Sequence, residues 1–137
     1  MNLILDSADG ALTDFQHTDV PNGYVRLSPD DEYTARYDDA GTAGSFAEII
    51  DSLSESKPCW VVCWFATVDQ KGNPCVEPLI LTWAPPSIRA AVGARMVLGA
   101  RDIARLFPQP PIQIFMSRRM SAEDIAQYIR YPIERPT

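Results

Sequence analysis

Residues 83–107 read WAPPSIRAAVGARMVLGARDIARLF. The stretch leaves an apolar run, turns at Pro85-Pro86 and settles into a helical rhythm. Ile88, Val92 and Met96 recur four apart, and Ile103 and Phe107 do so again, which lines apolar side chains along one stripe of a helix. Arg89, Arg95, Arg101 and Arg105 cannot all share that stripe, so several must face water or a partner. Gly93 and Gly99 each cost on the order of 1 kcal/mol relative to alanine in a helix interior, so a long helix with a bend near Gly99 is expected. By itself this is a core helix with a solvated basic edge.

The segments on either side supply a sheet. Residues 59–68, CWVVCWFATV, are apolar on both faces, as in a central strand covered from both sides. Asp69-Gln70-Lys71-Gly72-Asn73 makes a turn, and Val76 to Trp83 returns as a second apolar strand, with Pro78 near its start. After Pro108, Pro110 and Pro111 break the chain, IQIFM (112–116) alternates as a further strand. Ser121 and Asp124 then resemble a capping box, opening a helix whose inner stripe is Ile125, Tyr128 and Ile129 and which Pro132 ends. The tail, 132–137, is expected to fray.

Upstream, Ser45-Phe46-Ala47-Glu48 has the S-x-x-E form of a capping box, before a helix carrying Phe46, Ile49, Ile50 and Leu53 and ending near Glu55. Ala40-Gly41-Thr42-Ala43-Gly44 reads as a flexible loop. YVRLS (24–28) and YTARYD (33–38), joined by Pro29-Asp30-Asp31-Glu32, read as a polar-edged hairpin, or else as a loosely ordered acidic segment. Residues 7–16 suggest a short helix capped by Ser7, weakened by Gly10. The order is helix, hairpin, helix, hairpin, long helix, strand, helix. A single α/β (α+β) domain over 1–137, with a mixed sheet of about five strands sandwiched by helices, accounts for it most simply.

Composition narrows the function. The 137 residues suffice for one core, and no run approaches the ~18 to 20 consecutive apolar residues of a membrane span. MNLILD is too short for a signal-peptide core, so a cytoplasmic location is expected. The net charge of −6 is unevenly spread: residues 1–69 carry −10 and residues 70–137 carry +4. An acidic chain is a poor general nucleic-acid binder, while a basic second half suits an acidic partner surface or a phosphate-bearing ligand. Cys59, Cys63 and Cys75 lack disulfide or zinc spacing; on a strand Cys59 and Cys63 share one face with Val61, a packing position. His17 is the single histidine and lies beside a Pro-Asn-Gly turn, so neither a Ser-His-Asp nor a Cys-His arrangement is at hand. Without a phosphate-binding glycine loop or a metal cluster, the chain is expected to be no enzyme and to need no cofactor.

Several words of this sequence resemble the actin-depolymerising factor homology domain of the ADF/cofilin family. Lys57-Pro58-Cys59-Trp60 with the apolar strand after it looks like the start of the family's central strand. Leu79-Ile80-Leu81-Thr82-Trp83-Ala84-Pro85 is similar to its strand ending in tryptophan, a small residue and proline. Arg95-Met96-Val97-Leu98 and then Arg101-Asp102 look like its basic-Met-aliphatic segment and its basic-Asp pair. The match covers 45–130 well and 1–44 loosely.

The resemblance implies an actin-binding protein that engages monomers and filaments and promotes filament depolymerisation, in the cytoplasm at the cytoskeleton, acting as a monomer. In that family the long helix inserts into a cleft between two actin subdomains. Carried over by residue, the contacts are Arg95, Met96, Arg101, Asp102 and Arg105, and by periodicity alone Met96 is equally a core residue. Lys71, Arg118, Arg119 and Arg130 would add a filament side. The family carries bases where this chain has Cys75-Val76-Glu77-Pro78, and its N-terminal regulatory serine has only Ser7 nearby. A filament side-binder like coactosin, a branch regulator like glia maturation factor, and a phosphoinositide-binding or scaffold domain are the alternatives.

Overall fold

The structure, a computed structural model, describes residues 4–6, 9–31 and 34–130. The Ser7 cap, Glu32, Tyr33 and the tail at 132–137 lie outside the described residues, as does the side chain of Arg130. The elements are β1 (Ile4–Asp6), α1 (Asp9–Thr18), β2 (Gly23–Pro29), β3 (Thr34–Thr42), α2 (Phe46–Asp51), β4 (Cys59–Val68), β5 (Pro74–Trp83), α3 (Ala90–Ala104), β6 (Ile112–Met116) and α4 (Ala122–Arg130). One six-stranded sheet runs β1-β3-β2-β4-β5-β6. The two outer pairs, β1 with β3 and β5 with β6, are parallel and the rest antiparallel, so the sheet is mixed, as expected. The short edge strand β1 is additional to the expected strands.

β4 and β5 are the centre, paired from Cys59↔Trp83 to Val68↔Pro74. Their side chains divide between two cores because successive residues point to opposite faces. Trp60, Val62 and Ile80 join Leu12, Phe15, Val25, Leu27, Met96, Ala100 and Ile103 beneath α1 and α3. Cys59, Val61, Cys63, Leu79, Leu81 and Trp83 join Ile49, Ile50, Ile114, Met116 and Ile125 beneath α2 and α4. Fully burying a Leu- or Ile-sized side chain contributes about 1.5–3 kcal/mol, so this doubly covered hairpin anchors the fold. Pro78 falls just before β6 joins at Leu79, where β5 has only one strand neighbour.

Some local expectations change. Ala40, Gly41 and Thr42 form strand instead of loop, because they pair with Val25, Tyr24 and Gly23 beyond a register shift at Arg26/Leu27. α2 stops at Asp51, where Ser52 caps it with its N–H to Glu48 and Ile50 carbonyls. At its start the Glu48 N–H donates to Ser45 Oγ at 3.3 Å, but the Glu48 carboxylate accepts from Gly44 N at 2.7 Å in place of the reciprocal Ser45 bond. Ser121 and Asp124 do form the reciprocal box, at 3.1 and 3.2 Å. α3 passes through Gly93 and Gly99 as one element.

Candidate partner-binding surface

α3 presents three different surfaces. Its inner stripe is Met96, Gly99, Ala100, Ile103 and Ala104, all buried, at the i, i+3, i+4, i+7, i+8 spacing of a core-facing helix. Two contacts seat it on the sheet. The Trp60 indole N–H donates to the Met96 carbonyl at 2.8 Å, and Gly99 leaves room for the ring, since a Cβ there would lie 2.4 Å from Trp60 Cζ2. At 3.6 residues per turn, Ala94, Leu98, Arg101 and Arg105 then form an outward ridge, all exposed. Arg101 lies in the last turn and Arg105 at the C-cap, where cations complement the helix dipole.

One flank of the ridge meets the β2–β3 turn. There Pro29, Asp30, Asp31, Trp60, Val92, Arg95 and Met96 surround a cavity of about 330 Å³. Arg36 pairs with Asp30 at 3.4 Å at the outer side of that turn. The other flank meets β6 and the β5–α3 turn in a shallow apolar groove of about 400 Å³, lined by Pro86, Ile88, Gly93, Ala94, Val97 and Phe115 among others. Phe115 is 50% exposed, Val97 40% and Leu98 44%. Val97 of α3 and Phe115 of β6 line the groove together, and Leu98 is exposed on the adjoining ridge, so large apolar side chains stand open to solvent on this side of the molecule.

The fold has solved counterparts. No family model matches the sequence, and no curated protein does. Cofilin from Streptomyces griseoflavus superimposes with a TM-score of 0.73 at 12% identity, over 93% of this chain and 96% of that one. ADF/cofilin from Trypanosoma brucei gives 0.69 at 17% identity, over 96% and 97%. Mouse coactosin, an actin filament binding protein, gives 0.68 at 14% identity, over 94% and 91%. This chain has the ADF-homology fold.

On the ADF-homology fold the residues singled out from the sequence scatter over different environments. Arg101 and Arg105 stand on the ridge, and Arg105 pairs with Asp102 at 3.2 Å. Asp102 itself is only 12% exposed at its side chain. Arg95 lies on the flank toward the β2–β3 turn, half-buried. Met96 is 1% exposed and belongs to the core; in this conformation its side chain supports the helix and only borders the cavity beside Arg95. Lys71 is exposed at the β4–β5 turn, whose Asp69 carboxylate accepts from the Lys71 and Asn73 N–H groups at 2.9 Å. Those backbone donors, Asn73 foremost, hold the Asp69 carboxyl below its ordinary pKa. Arg118 and Arg119 are both exposed, and Arg119 also engages the α2 end.

Sequence reasoning passed over Val97, Leu98 and Phe115. Each carried a signal: it is apolar and out of phase. Val97 and Leu98 fall between the turns of the Met96–Ala100–Ile103 stripe, and Phe115 shares the solvent phase of β6 with Gln113, opposite buried Ile114 and Met116.

Among the described residues no group of three or more His, Cys, Asp or Glu could hold a metal, and no helix is long and apolar enough to cross a membrane. His17 is exposed in the last turn of α1.

Proposed function

We propose that this protein binds actin through the outer face of α3 and the adjoining groove, engages monomers and filaments, and promotes filament turnover as ADF/cofilin proteins do. It is a cytoskeletal binding protein with no chemistry of its own. The observation that carries the reading is the exposed apolar strip of Val97, Leu98 and Phe115 continued by Arg101 and Arg105, on an ADF-homology fold. Apolar anchors flanked by arginine are the composition of protein interfaces, and arginine pairs bidentately with the carboxylates of an acidic partner. Turnover then needs only a difference in affinity between two actin conformations, which shifts their populations.

Filament side-binding without depolymerisation, as in coactosin, is the second reading. It is favoured by the β5 start, where Cys75-Val76-Glu77-Pro78 offers a carboxylate in place of a base. Sedimentation with polymerised actin separates the two. Transfer of actin to the supernatant supports depolymerisation; pelleting of the protein with intact filaments supports side-binding. Neither result at low salt would remove actin as the partner and leave the phosphoinositide-binding alternative to be tested on anionic vesicles.

A further inference from the structure

The turn between β6 and α4 carries two consecutive arginines with opposite roles. Arg118 is exposed and makes no hydrogen bond or ion pair among the described residues. Arg119 folds back onto the end of α2. Its Nη2 donates to the Leu53 carbonyl at 2.6 Å and its Nε to the Ile50 carbonyl at 3.3 Å. Its guanidinium also lies over the Trp83 ring, 5.4 Å from the centroid, within cation–π range.

The acceptors belong to a segment that serves other donors as well. Trp83 Nε1 donates to the Ser54 carbonyl at 2.6 Å, and Ser87 Oγ to the Glu55 carbonyl at 3.4 Å. Residues 50–55 thus tie together the two turns that wall the α3 groove. One is the β5–α3 turn with Ser87, Pro86 and Ile88; the other is the β6–α4 turn with Ser117. Arg119 is exposed like Arg118, yet it spans two carbonyls and stacks on an indole, so three contacts hold its guanidinium in one place. A lysine ammonium is a point charge and cannot reproduce that planar fork.

We infer that Arg119 is a positioning residue for the docking face: it clamps the Ser117–Met120 turn to the end of α2 and thereby fixes the Ser117 wall of the groove. The inference rests on the docking reading of α3 given above. It assigns the shape of the turn to Arg119 and leaves Arg118 as the neighbouring control.

The test compares Arg119→Lys and Arg118→Gln with the wild type, first without actin. Amide exchange at 50–55 and 117–121 should quicken at least tenfold in Arg119→Lys, with α3 amides and the global unfolding midpoint little changed, and should stay at the wild-type rate in Arg118→Gln. With fluorescently labelled actin monomer, Arg119→Lys should bind at least tenfold more weakly with an unaltered salt dependence, because no charge is removed. Unchanged exchange in Arg119→Lys would overturn the clamp. Faster exchange with wild-type affinity, or an affinity loss that merely tracks a lower unfolding midpoint, would overturn the positioning role. A wild-type protein that fails to bind actin overturns the docking reading and that role with it, while the exchange data still decide the clamp.

Discussion

The Trp60 indole occupies the space in which a side chain at Gly99 would begin, with Cζ2 2.4 Å from the Cβ position and two further ring atoms at 3.1 and 3.2 Å. Trp60 is 2% exposed and its N–H is fixed on the Met96 carbonyl, so the ring has nowhere to go. A glycine that would weaken an isolated helix is what lets this helix approach the sheet.

Gly99→Ala should therefore destabilise the protein by about 1–3 kcal/mol, the usual cost of overpacking a core. Gly93→Ala, a matched control on the same helix, has nothing within 4 Å of its Cβ and should stabilise by up to ~1 kcal/mol through helix propensity. Urea unfolding of both variants checks the pair. Equal effects would mean that propensity, and not the Trp60 contact, governs Gly99.

Met96→Ala should cost about 2–5 kcal/mol of stability, as for other large-to-small changes in a core, because Met96 is 1% exposed. Its affinity for actin, measured well below the unfolding midpoint, should stay close to wild type. A large affinity loss at unchanged stability would make Met96 a contact after all.

How much of this could be read from the chain follows from what is local. β4 announces itself through an unbroken apolar run, and α3 through a stripe that depends only on helical period. Ser121 and Asp124 find each other three residues apart. What escaped depends on distant neighbours. Ala40–Thr42 looks like a loop until Gly23–Val25 pairs with it, and the strand β1 exists by pairing with β3. Gly99 reads as a weak point until Trp60, 39 positions earlier, is laid on it. Arg119 reads as one more surface base until the carbonyls of Ile50 and Leu53 come within reach. The proposed docking face is half legible: its arginines stand out by charge, whereas Val97, Leu98 and Phe115 are marked only by their phase and are not singled out as contacts.

The thiols should separate by burial. Burial pushes Cys63 up to about 12 and Cys59 to about 11 from an ordinary value of 9.0, with Cys59 also feeling Arg26, Asp38 and Asp39. Cys75, half-buried beside Glu77 and Asp69, is raised as well. At pH 8 a thiol reagent should label Cys75 slowly in the native protein and reach Cys59 and Cys63 only on unfolding. The same shifts set a sign for alkaline pH. Above about 9 the unfolded thiols release protons that the folded ones keep, so stability should fall as pH rises from there toward 12. Fast native labelling of all three cysteines would contradict the burial of Cys59 and Cys63.

The proposed docking face can be dissected without harming the fold, because its apolar residues are exposed. Val97→Asp and Phe115→Asp place charges in the groove at sites 40% and 50% open to solvent, and should change stability by only about 0.5 kcal/mol. If these side chains are central anchors, each should weaken actin binding by about 2 kcal/mol or more. Arg101→Ala with Arg105→Ala should act differently. Arg105 is 67% exposed but its partner Asp102 only 12%, so the double variant also takes a cation from a largely buried carboxylate, and its unfolding midpoint is measured beside its binding. The loss of two ridge charges should instead slow association and flatten its salt dependence. Stopped-flow binding of labelled actin at two ionic strengths distinguishes the two classes. Apolar variants that bind normally while the arginine pair abolishes binding would reduce the face to a charged ridge, and the groove beside it would have no part in recognition.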